Sequence, residues 1–548
     1  MKHFKLPRPV DGAKAIIMTL ACLLTPCTPA FAGGSYLAVW SSDKEANNRR
    51  QSPDFLAIID ADPRSSTYGT VVNTAALENV PNANLLNEIG LASGISSNVL
   101  NEAHHMTHDP VVISGRKYLF MAGLISANVF RCDVTNPLYI PTCPLITRST
   151  QVKNFSGTDD FVLDPNGNLL VTYMGAKNLQ TPGGVVKLSP TGRVLGEYPA
   201  AMAGGPKRYR PSVNGVTDTG LLAHPHGIDT RPDLDLMVTS DYADPLSLAS
   251  STTPVSETQD LGTTVRFWKL SKLAAGPTAI SQLPVGRGLE KNPIQNSPEG
   301  VMSVGFTHVR MHKAAFAASM MGGSLFYTPD ATVAHPKFRE IYSVGPGAGA
   351  SVFTITPDDR YIILPISGIQ SPGDALFDRD YSGEHSRRVI ALNIEKLLKA
   401  GVNAECDAPR RQLDADGFVN KVLGRNNGAS DCPVETGTLN LDSQDNFDTH
   451  GGPHFLAVDH ESRRVAIANY FVQLTPFGLP GTGSAGDDRV CMARLTHGGE
   501  VRLDAAFKDE LTGQSCVAMD RPLSYYWPNR GNTGSAKPHG VAFINFDD

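Results

Sequence analysis

Five short segments hold the side chains with which this chain could do chemistry, and all five are built on histidine. The densest is Ala103-His104-His105-Met106-Thr107-His108. The others are His224-Pro225-His226-Gly227, His308, Gly451-Gly452-Pro453-His454 and Pro538-His539-Gly540. Imidazole is a ligand for copper, zinc, iron and nickel, and near neutral pH much of it is uncharged, with a free lone pair. His104, His105, His108, His226, His308, His454 and His539 are therefore the candidate metal ligands. The competing reading gives each ring a local hydrogen bond at the start of a strand. His3, His335, His385 and His497 read as surface or loop residues, and His312 and His450 are left undecided. Asp159-Asp160 stands where the pattern lacks a histidine. This pair has three readings: a hard ligand, a partner for turn amides, or a catalytic proton acceptor. Met106 is either a soft ligand or a packing residue. No G-x-S-x-G, P-loop or H-E-x-x-H is present.

The elements that must position these residues are strands. Helical periodicity is scarce, and the one convincing helix runs from Ile394 to Lys399 and ends before Gly401. The rest is short Val/Ile/Phe/Tyr/Thr runs punctuated by Gly, Pro, Asn and Asp. A unit recurs, made of a polar residue, an apolar strand, a turn and a second apolar strand. Asp159-Asp160 precedes FVLDPNGNLLVTY, with turn chemistry in Asp164-Pro165-Asn166-Gly167. His108 precedes PVVISGRKYLFMAG (after Asp109), His226 precedes GIDTRPDLDLMVTS, and His308 precedes VRMHKAAFAASM. Ser351 precedes VFTITPDDRYIILPI, His454 precedes FLAVDHESRRVAIAN, and His539 precedes GVAFINF. Seven copies predict an all-β, seven-bladed β-propeller; a pair of β-sandwiches is the alternative. The last copy has one strand only, so the N-terminal strand around Tyr36–Trp40 is expected to complete that blade and close the ring. In such a ring, strands entering the hub in equivalent positions bring their leading residues together, which is the geometry of a metal site.

Composition narrows the partners. The 548 residues carry net charge −6 with a pI near 6.2, so there is no basic field for a polyanion and no nucleic-acid partner is expected. No apolar run beyond the N-terminus reaches the roughly 18 residues of a membrane helix, so no membrane span is expected. Lys2, Lys5 and Arg8, the apolar Ala13–Leu24, and Ala30-Phe31-Ala32 before Gly33 have the layout of a signal peptide. Residues 1–32 are accordingly assigned to the signal, and 33–548 to a single propeller domain with long loop insertions; the expected location is periplasmic or secreted. Cys22 and Cys27 would leave with the signal. An even set of cysteines in an exported chain reads as disulfides. The expected pairs are the short-range ones, Cys132–Cys143, Cys406–Cys432 and Cys491–Cys516. In this compartment copper or zinc is the expected metal.

The chain also resembles the selenium-binding protein / methanethiol oxidase family. The resemblance rests on SPDFLAIIDADPRSSTYGTVV at 52–72, NEAHHMTHD at 101–109, LISANVFRCDV at 124–134, GIDTRPDLDLMVTSDYADP at 227–245, LGTTVRFWKL at 261–270, and GGPHFLAVDHESRRVAIAN from 451. It implies a seven-bladed propeller and, for exported bacterial members, a copper-dependent oxidase. That enzyme converts methanethiol, dioxygen and water to formaldehyde, hydrogen sulfide and hydrogen peroxide. The family's His-His pair maps to His104 and His105, and its C-terminal histidine to His539. Two departures stand out. The family's C-x-x-C after the His pair is missing, so selenium binding is not expected, and its H-T-x-H falls on Asp159–Val162. The expectation is an exported copper oxidase of a small thiol, with Asp159 and Asp160, or a nearby histidine, as proton acceptor and no prediction of oligomeric state. The competing expectation is a non-enzymatic metal- or partner-binding propeller. A calcium-dependent lactonase would instead want Glu, Asp and Asn ligands.

Overall fold

In a computed structural model the described residues are 34–43, 54–78, 101–177, 182–202, 223–243, 262–284, 300–320, 322–344, 349–367, 387–406, 410–413, 419–423, 431–441, 452–470, 487–522, 524–529 and 534–545. The segment read as a signal peptide lies outside them, as do His385 and His450. The chain folds into seven antiparallel sheets with a four-strand path each, plus a two-stranded hairpin at 410–423. These are the blades of a β-propeller, with the innermost strand of each lining a common hub. In ring order the inner strands are Ala536–Asn545 (blade 1), Ala103–Met106 (2), Phe155–Leu163 (3), Pro225–Arg231 (4), Val301–Phe306 (5), Thr354–Ile355 (6) and Phe455–Val458 (7).

The ring closes through blade 1. Ser35–Asp43 pairs with the C-terminal strand over nine positions, from Ser35↔Asn545 to Asp43↔Ala536. The N-terminus supplies Ser35–Asp43, Phe55–Asp60 and Val71–Ala76, and the C-terminus supplies the innermost strand. The expected closure is thus met with three N-terminal strands.

Blades pack face to face, so their strands are apolar on both faces instead of alternating. Phe55–Asp60 (FLAIID) is buried throughout, as are Ala315–Ser319 (AFAAS) and Tyr361–Ile366 (YIILPI). Seven buried clusters result, one between each neighbouring pair of blades. Trp40, Ile58, Met121 and Phe130 join blades 1 and 2, and Leu170, Met237 and Trp268 join blades 3 and 4. The Asp164–Gly167 turn forms as its residues demand. Asp164 Oδ1 accepts the Asn166 and Asn168 amides, and Gly167 takes a φ of 74°. The three short-range disulfides are present. The short helix spans Glu395–Ala400. Among the described residues no helix is long and apolar enough to cross a membrane.

Two copies of the repeat differ from their expected registers. In blade 5 the inner strand is Val301–Phe306, and His308 lies beyond its end. The segment expected as the first strand contains the second one, Ala315–Ser319. In blade 2 the inner strand is Ala103–Met106, and Val111–Ile113 only extends the same edge of the sheet. Apolar runs locate strands without saying which strand of a blade each one is.

Candidate metal centre

One backbone device recurs at the hub end of the inner strands. In blade 2, Ala103 pairs with Gly123 and Met106 with Met121, so three steps on one strand face two on the other. Blade 3 does the same between Thr158 and Phe161, and blade 4 between Pro225 and Ile228. Blade 5 skips Met302, and blade 1 skips His539. Each is a β-bulge, which adds a residue and re-aims side chains. Regular alternation would send His104 and His105 to opposite faces. With the bulge both rings stand at the hub, stacked at 4.4 Å with 3° between their planes.

Around the axis the blades contribute His539, His104 with His105, Asp159, His226, Met302, Ser351 and His454. All the imidazoles among them are at most 2% exposed. His539 lies 4.3 Å from His104 and 4.7 Å from His454, ring to ring. Asp159 is central. Its Oδ2 is 3.2 Å from His104 Nε2 and 3.4 Å from His226 Nε2, and its Oδ1 is 3.1 Å from His105 Nδ1. Donor atoms of His104, His105, Asp159 and His226 lie within 4.8 Å of one another, as do those of His105, His454 and His539. The Asp159 contacts have ion-pair distances but not hydrogen-bond alignment, for neither ring nitrogen of His104 or His105 nor either oxygen of Asp159 makes a hydrogen bond. Buried polar atoms are rarely left so, because each costs about 1–3 kcal/mol. Donors turned toward a shared point instead of toward each other fit a bound cation.

The fields agree with ligation. Burial favours a carboxylic acid at Asp159, but His226, His104 and His105 hold its carboxyl well below the usual range. Burial lowers His226 to about 4 despite Asp159, and it lowers His104 as well. Burial and the neighbouring imidazoles push His454 far down. These rings are neutral, lone-pair donors at pH 7. His105 differs. Burial opposes its charge, but Asp159 and then Asp160 lift it to about 9.

A second tier orients the first. Ser351 Oγ is hydrogen-bonded to His454 Nδ1, the usual way a metal-binding ring is fixed. Glu102, in the left-handed region at φ 51°, accepts the Tyr470 hydroxyl at 2.6 Å and Lys537 Nζ at 2.9 Å. Tyr470 in turn stands 5.9 Å from the His539 ring. Glu102, Tyr470, Lys537, Ser351 and Met302 were missed by sequence reasoning. The Glu-x-His-His spacing was the available signal for Glu102; nothing local marks the others.

The remaining candidates stand elsewhere. His108 pairs through Nε2 with Asp160 at 3.3 Å, stacks on Phe455, and faces a cavity with its side chain 38% exposed. His308 is not at the centre. It follows the inner strand of blade 5, and its Nδ1 lies 3.4 Å from Asp359 and 3.2 Å from the Thr356 carbonyl. His312 also binds Asp359, at 2.7 Å. Asp160 bridges His108 and His105, at 3.3 and 3.6 Å. Burial opposes its charge, and His108 and His105 hold its carboxyl well below the usual range. Met106 packs in the cluster between blades 1 and 2.

Comparison with known proteins bears out the resemblance. Residues 28–209 match the family described as 56 kDa selenium binding protein (SBP56). This span holds His104, His105 and Asp159; His226, His454 and His539 lie beyond it. The X-ray structure of a hypothetical selenium-binding protein from Sulfolobus tokodaii superposes with a TM-score of 0.60 over 94% of this chain and 95% of its own, at 14% identity. That likeness is one of fold. The periplasmic gluconolactonase of Pseudomonas aeruginosa gives 0.47 over 93% of this chain and 99% of its own, at 10% identity. No curated protein matches by sequence.

Proposed function

We propose, from the selenium-binding family match carried by residues 28–209, that this chain is an exported, copper-dependent oxidase of a small thiol. The observation that carries the reading is the set of converging buried donors with unbonded nitrogens on His104 and His105. His104, His105, Asp159 and His226 would hold the ion, with His454 and His539 at its edge. An all-nitrogen-and-oxygen set suits copper, which heads the divalent affinity series, and zinc next. When bound, copper supplies a redox-active Lewis acid that favours the thiolate form of a thiol and accepts its electrons on their way to dioxygen. For methanethiol, the thiol, dioxygen and water give formaldehyde, hydrogen sulfide and hydrogen peroxide.

The chain's own residues supply the frame. Asp159 carries the negative charge that offsets a cation in a buried site. Asp160 Oδ1 fixes the rings of His105 and His108. Tyr242 and Phe455 stand edge-on to His226 and His105, both at 5.1 Å, and limit the space to a small molecule. Disulfides in three of the blades support export.

One observation favours a second reading. Six donor side chains exceed what a four-coordinate ion needs, and closed coordination marks non-catalytic sites. One experiment separates the two: elemental analysis of the purified protein, followed by thiol-dependent oxygen uptake with hydrogen sulfide and peroxide measured as products. Stoichiometric copper with turnover supports the oxidase, and copper without turnover supports storage or delivery. No transition ion, even after reconstitution, overturns both.

A further inference from the structure

Past His226 and His454 along their own strands lies a cavity of about 410 Å³. It opens where the inner strands of six blades, 2 to 7, end. His108, Asp109, Asp160, Asp229, His308 and His460 line it, over a floor that includes Phe353 and Leu456. His108, His308 and His460 are 38%, 47% and 60% exposed at their side chains, so solvent reaches them. The hub imidazoles behind them are at most 2% exposed.

Between the two regions the donor atoms form an unbroken series. His108 Nε2 is 3.3 Å from Asp160 Oδ1, which is 3.6 Å from His105 Nδ1, which is 3.1 Å from Asp159 Oδ1. Ligand bonds to a transition ion are about 2.0–2.2 Å long, so donors spaced this way can share one ion. That spacing matters because an unliganded ion in a low-dielectric interior costs tens of kcal/mol. An ion that always holds two protein donors never meets that barrier. The three carboxylates at the cavity also concentrate cations there. The series ends at His105 and Asp159, whose ring nitrogens and carboxylate oxygens have no hydrogen-bond partner.

We propose that this cavity is the loading route of the hub: a divalent transition-metal ion is captured at the imidazole–carboxylate rim and handed through His108 and Asp160 to His105 and Asp159. The inference rests on the reading of the hub as a metal centre. It moves His108 from the site itself to its approach. The handover is ligand exchange alone, with no change in the oxidation state of the ion.

The test follows uptake of Co(II), chosen for its visible ligand-field bands, by metal-stripped full-length protein in a stopped-flow instrument. Elemental analysis gives the end point, and near-UV circular dichroism checks folding. Two variants are used. His108→Ala removes a transit donor. Gly305→Val removes none, but it narrows the cavity, since a Cβ there meets the Phe353 ring at 3.2 Å and Asp229 Oδ2 at 3.7 Å. Both are expected to slow uptake by about tenfold or more, the effect of one contact missing at the barrier, with the final metal content unchanged. Uptake within twofold of wild type in both variants overturns the route while leaving the metal centre intact. A lower end-point content in His108→Ala makes His108 a ligand of the finished site and also overturns it. A wild-type protein that takes up no ion removes the metal centre, and the route with it.

Discussion

Replacing Asp159 by Asn in the metal-free protein tests the electrostatics of the hub without any assumption about catalysis. Asn keeps the size of the side chain, so no cavity opens. The carboxylate at 3.1 Å is a principal cause of the rise of His105 from 6.5 to about 9. A histidine with a raised folded-state value stabilises the fold fully below its unfolded value and loses that contribution as pH climbs through the folded one. Between pH 6 and pH 10 the wild type should therefore lose up to about 3 kcal/mol that the variant lacks. Asp160 retains part of the effect, so about 1–3 kcal/mol is the expected range. Asp159 stays ionised throughout, and the cost of burying it is a constant offset. The assay is urea denaturation of both proteins, disulfides intact, at unit steps of pH. Wild type should gain on the variant as pH falls from 10 to 6. A stability difference that stays flat across that range would refute the assignment of charge to His105 and the central role of Asp159.

Asp54 is fully buried, and burial, with Glu102 and Asp43 adding, lifts it to about 7 even though it accepts the Asp43 amide. A raised carboxyl stabilises below its unfolded value and loses that contribution as pH rises through 7. Asp54→Asn should gain about 4 kcal/mol on wild type between pH 4 and pH 8 in urea titrations, and equal slopes would count against it. Ending the chain at residue 535 removes the nine-position ladder that closes blade 1, and His539 with it. The truncated chain should show no cooperative melt and bind a dye for exposed apolar surface; an unaltered calorimetric transition would contradict the closure. Replacing Cys491 and Cys516 together by Ser opens a loop of separation 25 and should cost roughly 3 kcal/mol of unfolding free energy, read in urea. A loss below about 1 kcal/mol would assign the cross-link no constraint on the unfolded chain.

Much of this molecule is legible in one dimension. Runs such as Phe161-Val162-Leu163 and Leu169–Tyr173 around Asp-Pro-Asn-Gly fix strand, turn and strand locally, because apolar patterning and turn chemistry act over a few residues. Seven such units, the last a single strand, imply a ring with a split blade, and short cysteine separations imply their pairs. The convergence of His226, His454 and His539 followed from repeat register, which in blade 2 had picked His108; His104 and His105 were marked by the density of their segment and by the family resemblance. What the sequence could not decide was which residue of each segment faces the axis. His308 and Met302 are six positions apart, and patterning favoured the wrong one, since apolar runs do not distinguish first strands from second strands. Nor could alternation show that neighbours His104 and His105 point the same way, or that Asp159, not Asp160, takes the centre. Those choices belong to the bulges, and a bulge is a mismatch in count between two paired strands. It exists only once the partner strand is in place, so only the tertiary structure decides it.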